Sequence, residues 1–269
     1  MSNQGALPDP FIGLVGMVDV GRRYSNAPIV EATVDLRVLL SDDVGIDDLS
    51  GLYPDLEEPQ PFFEFIPRVE DNRIVASNDR QAGFTFSKKK SFGIIAGLDR
   101  FAYSQLSKYS SWEDFIENVR PRWLRYKQVA SPEKVTNVGV RYVNRIVIPK
   151  RQVEINDYLR TKVDISPYLP QAINRYFAQI SFPINAYDAE ATVNTALVEA
   201  PEPDATALVV DIDVSRELDL DPASDSFDED LTAQLGTLRS AKNYVFEACI
   251  TDATRGVIDS GVHEAQPPA

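Results

Sequence analysis

Between residues 27 and 40 the chain reads APIVEATVDLRVLL, with Val30, Ala32, Val34, Leu36 and Val38 apolar and Glu31, Thr33, Asp35 and Arg37 polar. Side chains of an extended chain alternate between two faces, so the pattern predicts a strand with one face in a core. A second alternating run surrounds GVRYVNRIVIP at 139–149. There Val138, Val140, Tyr142, Ile146 and Ile148 point one way, interrupted only by Asn144, while Arg141, Val143, Arg145 and Val147 point the other. The first set is a core face. The second, two arginines among valines, is neither a core nor an ordinary wet surface. Between these strands, the polar stretch 41–58 has room for a short helix. FFEFIPRVE, RIVASN, AGFTFSK, SFGIIAGLD and FAYSQLSKYS follow, broken by Asp-Asn, Lys-Lys and Asp-Arg pairs, and their cadence predicts an antiparallel meander. Lys88, Lys89 and Lys90 read as a hairpin turn within it.

At 111 the period changes. Trp112, Phe115, Ile116, Val119 and Trp123 recur at helical spacing, with Ser111 as the N-cap and Asp114 three residues on. Pro121 predicts a kink or a junction in this helix. Residues 152–180 read as short helices or irregular connection, with Pro167 and Pro170 as breakers. Then 182–200 and 205–218 read as strands, separated by APEPDA. A helix of roughly 24 residues follows, opened by a capping box at Ser226 and Glu229, with Phe227, Leu231, Leu235, Leu238, Val245 and Cys249 on one face. The expected fold class is α+β, in two related halves, each an antiparallel sheet packed against a helix. The expected divisions are a flexible arm at 1–24, a first half at 25–150, a connection at 151–180, a second half at 181–258 and a disordered tail at 259–269.

Composition narrows the chemistry. With 269 residues, 43% hydrophobic and 25% charged, the chain has the balance of a globular protein. A net charge of −14 opposes generic binding to nucleic acid or to an anionic membrane. The single cysteine, Cys249, permits no internal disulfide and no thiolate zinc cluster. The single histidine, His263, lies in the polar tail and leaves no Ser-His-Asp triad with an ordered partner. Phosphate-loop, dinucleotide and HExxH signatures are missing. No apolar run approaches a membrane span, the N-terminus lacks the order of a signal peptide, and a cytoplasmic location is expected. No cofactor and no metal site is expected.

Basic side chains gather at Arg120, Arg122, Arg125, Lys127, Lys134, Arg141, Arg145, Lys150 and Arg151, interleaved with Trp123 and Tyr126. A nucleic-acid reading would use the arginines on phosphates and the aromatics on bases, but the overall charge opposes it. Acids dominate 202–230, where Asp211 and Asp213 share one strand face and Glu217 and Asp219 follow at the same period. Such a row suits a solvated face, protection of a sheet edge, a divalent ion or a basic partner. An EF-hand loop starting at Asp211 fails, because Arg216 and Pro222 stand where Gly and Glu are required. Glu31 and Asp35 lie four apart on one strand, and Arg141 and Arg145 four apart on the other. Were those strands neighbours, a charge ladder would join them, either as structure or as the lining of a groove.

PIVEATVDLRV (28–38), VGVRYVNRIVIP (138–149) and LRSAKNYVFEACITD (238–252) together resemble a sporadically distributed prokaryotic family of conserved proteins without an assigned activity. The resemblance spans about 25 to 258 and marks Glu31, Arg141, Asn144, Arg145, Asn243 and Glu247. The patchy distribution of such a family implies mobile cassettes, such as toxin–antitoxin or phage-defence loci. The function expected is therefore non-catalytic binding of a macromolecule, a protein with a basic surface, through Asp211, Asp213, Glu217 and Asp219. The alternative is an enzyme or sensor whose Arg141 and Arg145 clamp a phosphorylated small molecule or nucleotide, with Glu31, Asp35 and Asn144 alongside.

Overall fold

The computed structural model describes residues 18–261 except 20, 65, 71, 72, 78, 79, 90, 171, 172 and 174, with backbone alone for 66–70 and 73–77. In chain order the elements are β1 (Ile29–Leu39), β2 (Gln60–Phe63), β3 (Ile66–Glu70), β4 (Arg73–Ser77), β5 (Gln81–Lys88), β6 (Phe92–Gly97), β7 (Arg100–Gln105), α1 (Trp112–Ala130), β8 (Lys134–Ile148), α2 (Ile155–Tyr158), β9 (Phe177–Ile184), β10 (Ala189–Val198), β11 (Thr206–Leu220), α3 (Phe227–Cys249) and α4 (Asp252–Asp259). The class is α+β with antiparallel pairing, as expected. Most of the expected arm, and the tail from 262 with His263, lie outside the described residues.

Compactness divides the chain into two units, and neither is a continuous stretch. One, the α1 unit, gathers 30–141 with 217–235; the other, the α4 unit, gathers 1–29, 142–216 and 236–269. Each passage of the chain between units falls inside a regular element: β1, β8, β11 or α3.

In the α1 unit the strands run in the order β2-β5-β6-β7-β1-β8. β5, β6 and β7 form the expected meander, and the turn between β5 and β6 is closed by Ser91 N–H on Lys88 O at 2.9 Å. β3 and β4 do not join it; among the described residues they pair with each other, Glu70 opposite Arg73. At Gly83 a β-carbon would lie 2.2 Å from the Ala96 carbonyl oxygen, so only glycine allows β5 this close to β6. The polar stretch 41–58 holds one short 3-10 turn, Ile46–Leu49, which buries Leu49. Ser111 caps α1 by accepting the Asp114 N–H at 3.0 Å. The helix runs through Pro121 as one element, so no junction interrupts it. Its buried face of Phe115, Val119, Trp123, Tyr126 and Ala130 continues past the proline. Trp123 and Tyr126 each lie 5.4 Å from Phe101, Trp123 stacks on Phe227, and Tyr126 Oη donates to Gly97 O at 2.7 Å. The helix ends at Ser131, whose φ of 42° is left-handed, ahead of Pro132.

The α4 unit has the strand order β8-β11-β10-β9. Val210, Ile212 and Val214 stand opposite Thr195, Val193 and Ala191, all buried. The run 182–200 is not one strand. It is the end of β9, a 3-10 turn at Asn185–Tyr187 and then β10, because Asp188 adopts the left-handed region (φ 49°) and reverses the chain. Among the described residues of 152–180, only α2 is helical, and β9 begins at Phe177. The expected face of α3 is the observed one: Phe227, Leu231 and Leu235, in the α1 unit, and Leu238, Val245 and Cys249, in the α4 unit, are all buried. The terminal helix α4, which no sequence pattern announced, is capped by Thr251 and fastened by Thr254 Oγ1 donating to Tyr158 O. Among the described residues no helix is long and apolar enough to cross a membrane.

Candidate functional site

The two faces of β8 are as the alternation predicts. Val138, Val140, Tyr142, Ile146 and Ile148 are fully buried, and Asn144 is buried among them. Asn144 is held by its amide, with Nδ2 donating to Val210 O at 3.0 Å on β11 and to Tyr142 O at 3.3 Å. On the other face Arg141 is exposed and Arg145 half-buried. Arg145 Nη2 donates to Glu199 O at 2.6 Å, and its Nε is buried without an acceptor among the described residues.

Asp35 does not reach for Arg145. Its Oδ2 accepts from Arg100 Nε on β7, and Arg37 Nε stands 3.8 Å from Oδ1. A strand has two neighbours, and β7 supplies the guanidinium that β8 was expected to give. Burial pushes the Asp35 carboxyl up, against the pull of Arg100 and Arg37. Glu31 accepts a hydrogen bond from Thr33 Oγ1 at 3.2 Å.

A buried polar cluster lies in the α4 unit, around Glu247 of α3. Glu247 is buried, with Tyr24 Oη donating to Oε1 at 2.7 Å and Arg255 Nε to Oε2 at 2.8 Å. Arg255 also donates through Nη2 to Glu247 O at 2.8 Å and through Nη1 to Asp252 at 2.6 Å. Burial acts to lower the Arg255 pKa, but Glu247 and Asp252 outweigh it and hold the guanidinium charged. Burial and the hydrogen bond to Glu247 raise the Tyr24 hydroxyl. Arg22 pairs with Asp259 at 2.7 Å, so the last residues of the expected arm are tied down. The motif comparison marked Glu247; its partners lie 223 and 8 residues away, separations that no local pattern flags.

One turn earlier on α3, Lys242 Nζ sits 4.0 Å from the centre of the Tyr142 ring, a cation–π contact. Its pKa is pushed down to about 7, by burial first and then by Arg239, with Glu247 opposing. Cys249, the last residue of α3, is buried and accepts from Thr161 Oγ1 at 3.3 Å; burial raises its thiol.

Of the acids, Asp211 is 6% exposed and accepts from Asn194 Nδ2 at 3.0 Å, which withdraws it from any open surface. Asp213, Glu217 and Asp219 are exposed, and Asp219 pairs with Lys134 at 2.8 Å. Within the α1 unit, Glu217, Asp219, Asp221, Asp225, Asp228, Glu229 and Asp230 are all exposed. Glu217 borders an open hollow of about 590 Å³ together with Arg37, Thr136, Asn137 and Leu218. The aromatic residues of the basic cluster are not free: Trp123 is 3% and Tyr126 0% exposed, so neither offers a ring to a base. No group of three or more metal-ligating side chains assembles among the described residues. The chain matches no protein-family model and no curated protein.

Proposed function

We propose that the protein works without catalysis, in the cytoplasm, by binding a protein that presents basic side chains. The observation that carries this reading is the exposed acidic run from Glu217 to Asp230 in the α1 unit, where Lys134 pairs with Asp219 alone of the seven acids among the ion pairs described. Complementary charge of this density speeds encounter and selects partners by sign. Asp213, exposed on β11, extends the row. Likeness to a patchily distributed prokaryotic family supports a role in a mobile defence or toxin–antitoxin locus. A phosphate clamp at Arg141 and Arg145 is the weaker reading, because Arg145 already gives Nη2 to Glu199 O and buries its Nε. The halves are read as related because β6–β7–α1 and β10–β11–α3 each place a long helix after an antiparallel hairpin.

The test is capture by the immobilised protein at low and moderate salt, beside a variant carrying Glu217→Gln, Asp221→Asn, Asp225→Asn and Asp228→Asn. Basic proteins held by the wild type, weakened by salt and lost from the variant, are the expected result. Capture that ignores both salt and the substitutions would overturn the acidic surface.

A further inference from the structure

β9 ends the strand order of the α4 unit, and among the described residues no further strand pairs with its outer edge. Leu197 N–H donates to Tyr176 O at 3.1 Å, which fixes the phase of the β9–β10 ladder. Residues 178, 180, 182 and 184 then turn their backbone groups to β10, and Phe177, Gln179, Ser181 and Pro183 turn theirs outward. Pro183 has no N–H to offer, and the outward position is where a strand tolerates it.

Free edges are ordinarily blunted by charge, by shortness or by a bulge. β9 has eight residues, reads FAQISFPI without an ionisable group, and pairs with β10 without a register shift. Phe177 is 69% and Ile180 42% exposed. By contrast β2, which ends the order of the α1 unit, has four residues and an irregular register between Phe62 and Phe63.

We propose that β9 is the seam of a symmetric homodimer, pairing antiparallel with β9 of a second copy about an axis at Gln179. The outward groups are self-complementary about that point. Residue 177 meets 181 of the second copy, 179 meets 179, and each N–H finds a carbonyl. The missing N–H of Pro183 falls at the end of the ladder, where it breaks no central bond. On one face Phe177 comes diagonally beside Pro183 of the second copy; on the other, Ile180 stands opposite Ala178 and diagonally beside Ile180 of the second copy. Two copies that each carry −14 repel at long range, and a stretch without charge is where they can close. The symmetry is isologous, so assembly stops at two.

The pairing predicts a distance. Strand residues that exchange both hydrogen bonds have Cα atoms about 5.5 Å apart, within the span of a disulfide. Gln179→Cys is therefore expected to oxidise to a covalent dimer, and Glu190→Cys, on the inner strand β10, is not. The native Cys249 is buried and does not compete. Light scattering on a dilution series should give twice the 30.0 kDa chain mass for the wild type. Gln179→Pro should give the single mass with little change in melting temperature, because the N–H it removes points outward. A wild type that stays at the single mass at its highest soluble concentration overturns the proposal. So does a dimer that survives Gln179→Pro, or equal cross-linking at 179 and 190. A single-mass wild type that captures an extended peptide of another protein at β9 would assign the edge to that partner instead. None of these readouts depends on the acidic surface.

Discussion

Both units bury an apolar core, and they differ in the ionic and apolar groups that depart from it. In the α1 unit, Phe101, Tyr103, Phe115, Trp123 and Tyr126 are inside and the acids of 217–230 are outside. In the α4 unit, Glu247, Asp211 and Asn144 are buried, while Phe177, Tyr168 and Leu169 are 58–95% exposed. Apolar burial stabilises without specifying chemistry. Buried ionic groups contribute little net stability, and exposed apolar groups contribute none. The first unit is therefore built as a scaffold that displays charge. The second keeps groups that stability alone does not explain.

Substitutions in each unit test that contrast. Arg255→Ala, which strands the Glu247 carboxylate in the interior, is expected to cost about 3–5 kcal/mol in urea unfolding. Trp123→Ala in the α1 unit should cost a similar amount, about 3–5 kcal/mol, by leaving a cavity. The two are separated by a second change. Adding Glu247→Ala to Arg255→Ala should restore part of the loss, with a coupling of about 0.5–3 kcal/mol. Strict additivity would show that the ionic interior is not a unit.

A smaller effect follows from Lys242. In the unfolded chain its ammonium ionises at the ordinary 10.5, and in the fold at about 7. Between those values the unfolded chain holds a proton that the fold lacks, so stability rises with pH across the interval. The rise attributable to Lys242 should be about 1–2 kcal/mol once its partial exposure is discounted. Lys242→Met should remove it; identical slopes in the two proteins would place the ammonium in water.

The smallest stability change is expected at the edges. Ile180→Lys on β9 and Phe63→Lys on β2 should each alter unfolding by less than about 0.5 kcal/mol. Only Ile180→Lys should alter the mass in solution. A change with both, or with neither, removes the distinction between the open edge and the short, irregular one.

Periodicity made the faces of α1, α3 and β8 legible in the sequence, because burial repeats at 3.6 or at 2; on β1 it held from Ala32 to Val38, but Val30, expected inside, is 45% exposed and Thr33, expected outside, is buried. It failed where a short turn interrupts a β-prone run: nothing in FPINAYDAEATV declares that Asp188 turns left-handed. It failed again where partners come from elsewhere in the chain. The alternation put Asp35 on a polar face, yet strand order decides between Arg100 and Arg145, and order is set by tertiary packing. Tyr24, Glu247 and Arg255 come from the arm, α3 and α4, so no local pattern joins them, and two of the three went unmarked.

The passages of the chain inside β1, β8, β11 and α3 bear on how such a protein can change over generations. Modules that move between genes are joined by linkers, which can be cut and rejoined without harm. Here every boundary is a ladder or a helical turn, so a recombination point at any of them severs hydrogen bonds on both sides. Exchanging one unit between genes therefore takes cuts inside three strands and a helix rather than in linkers.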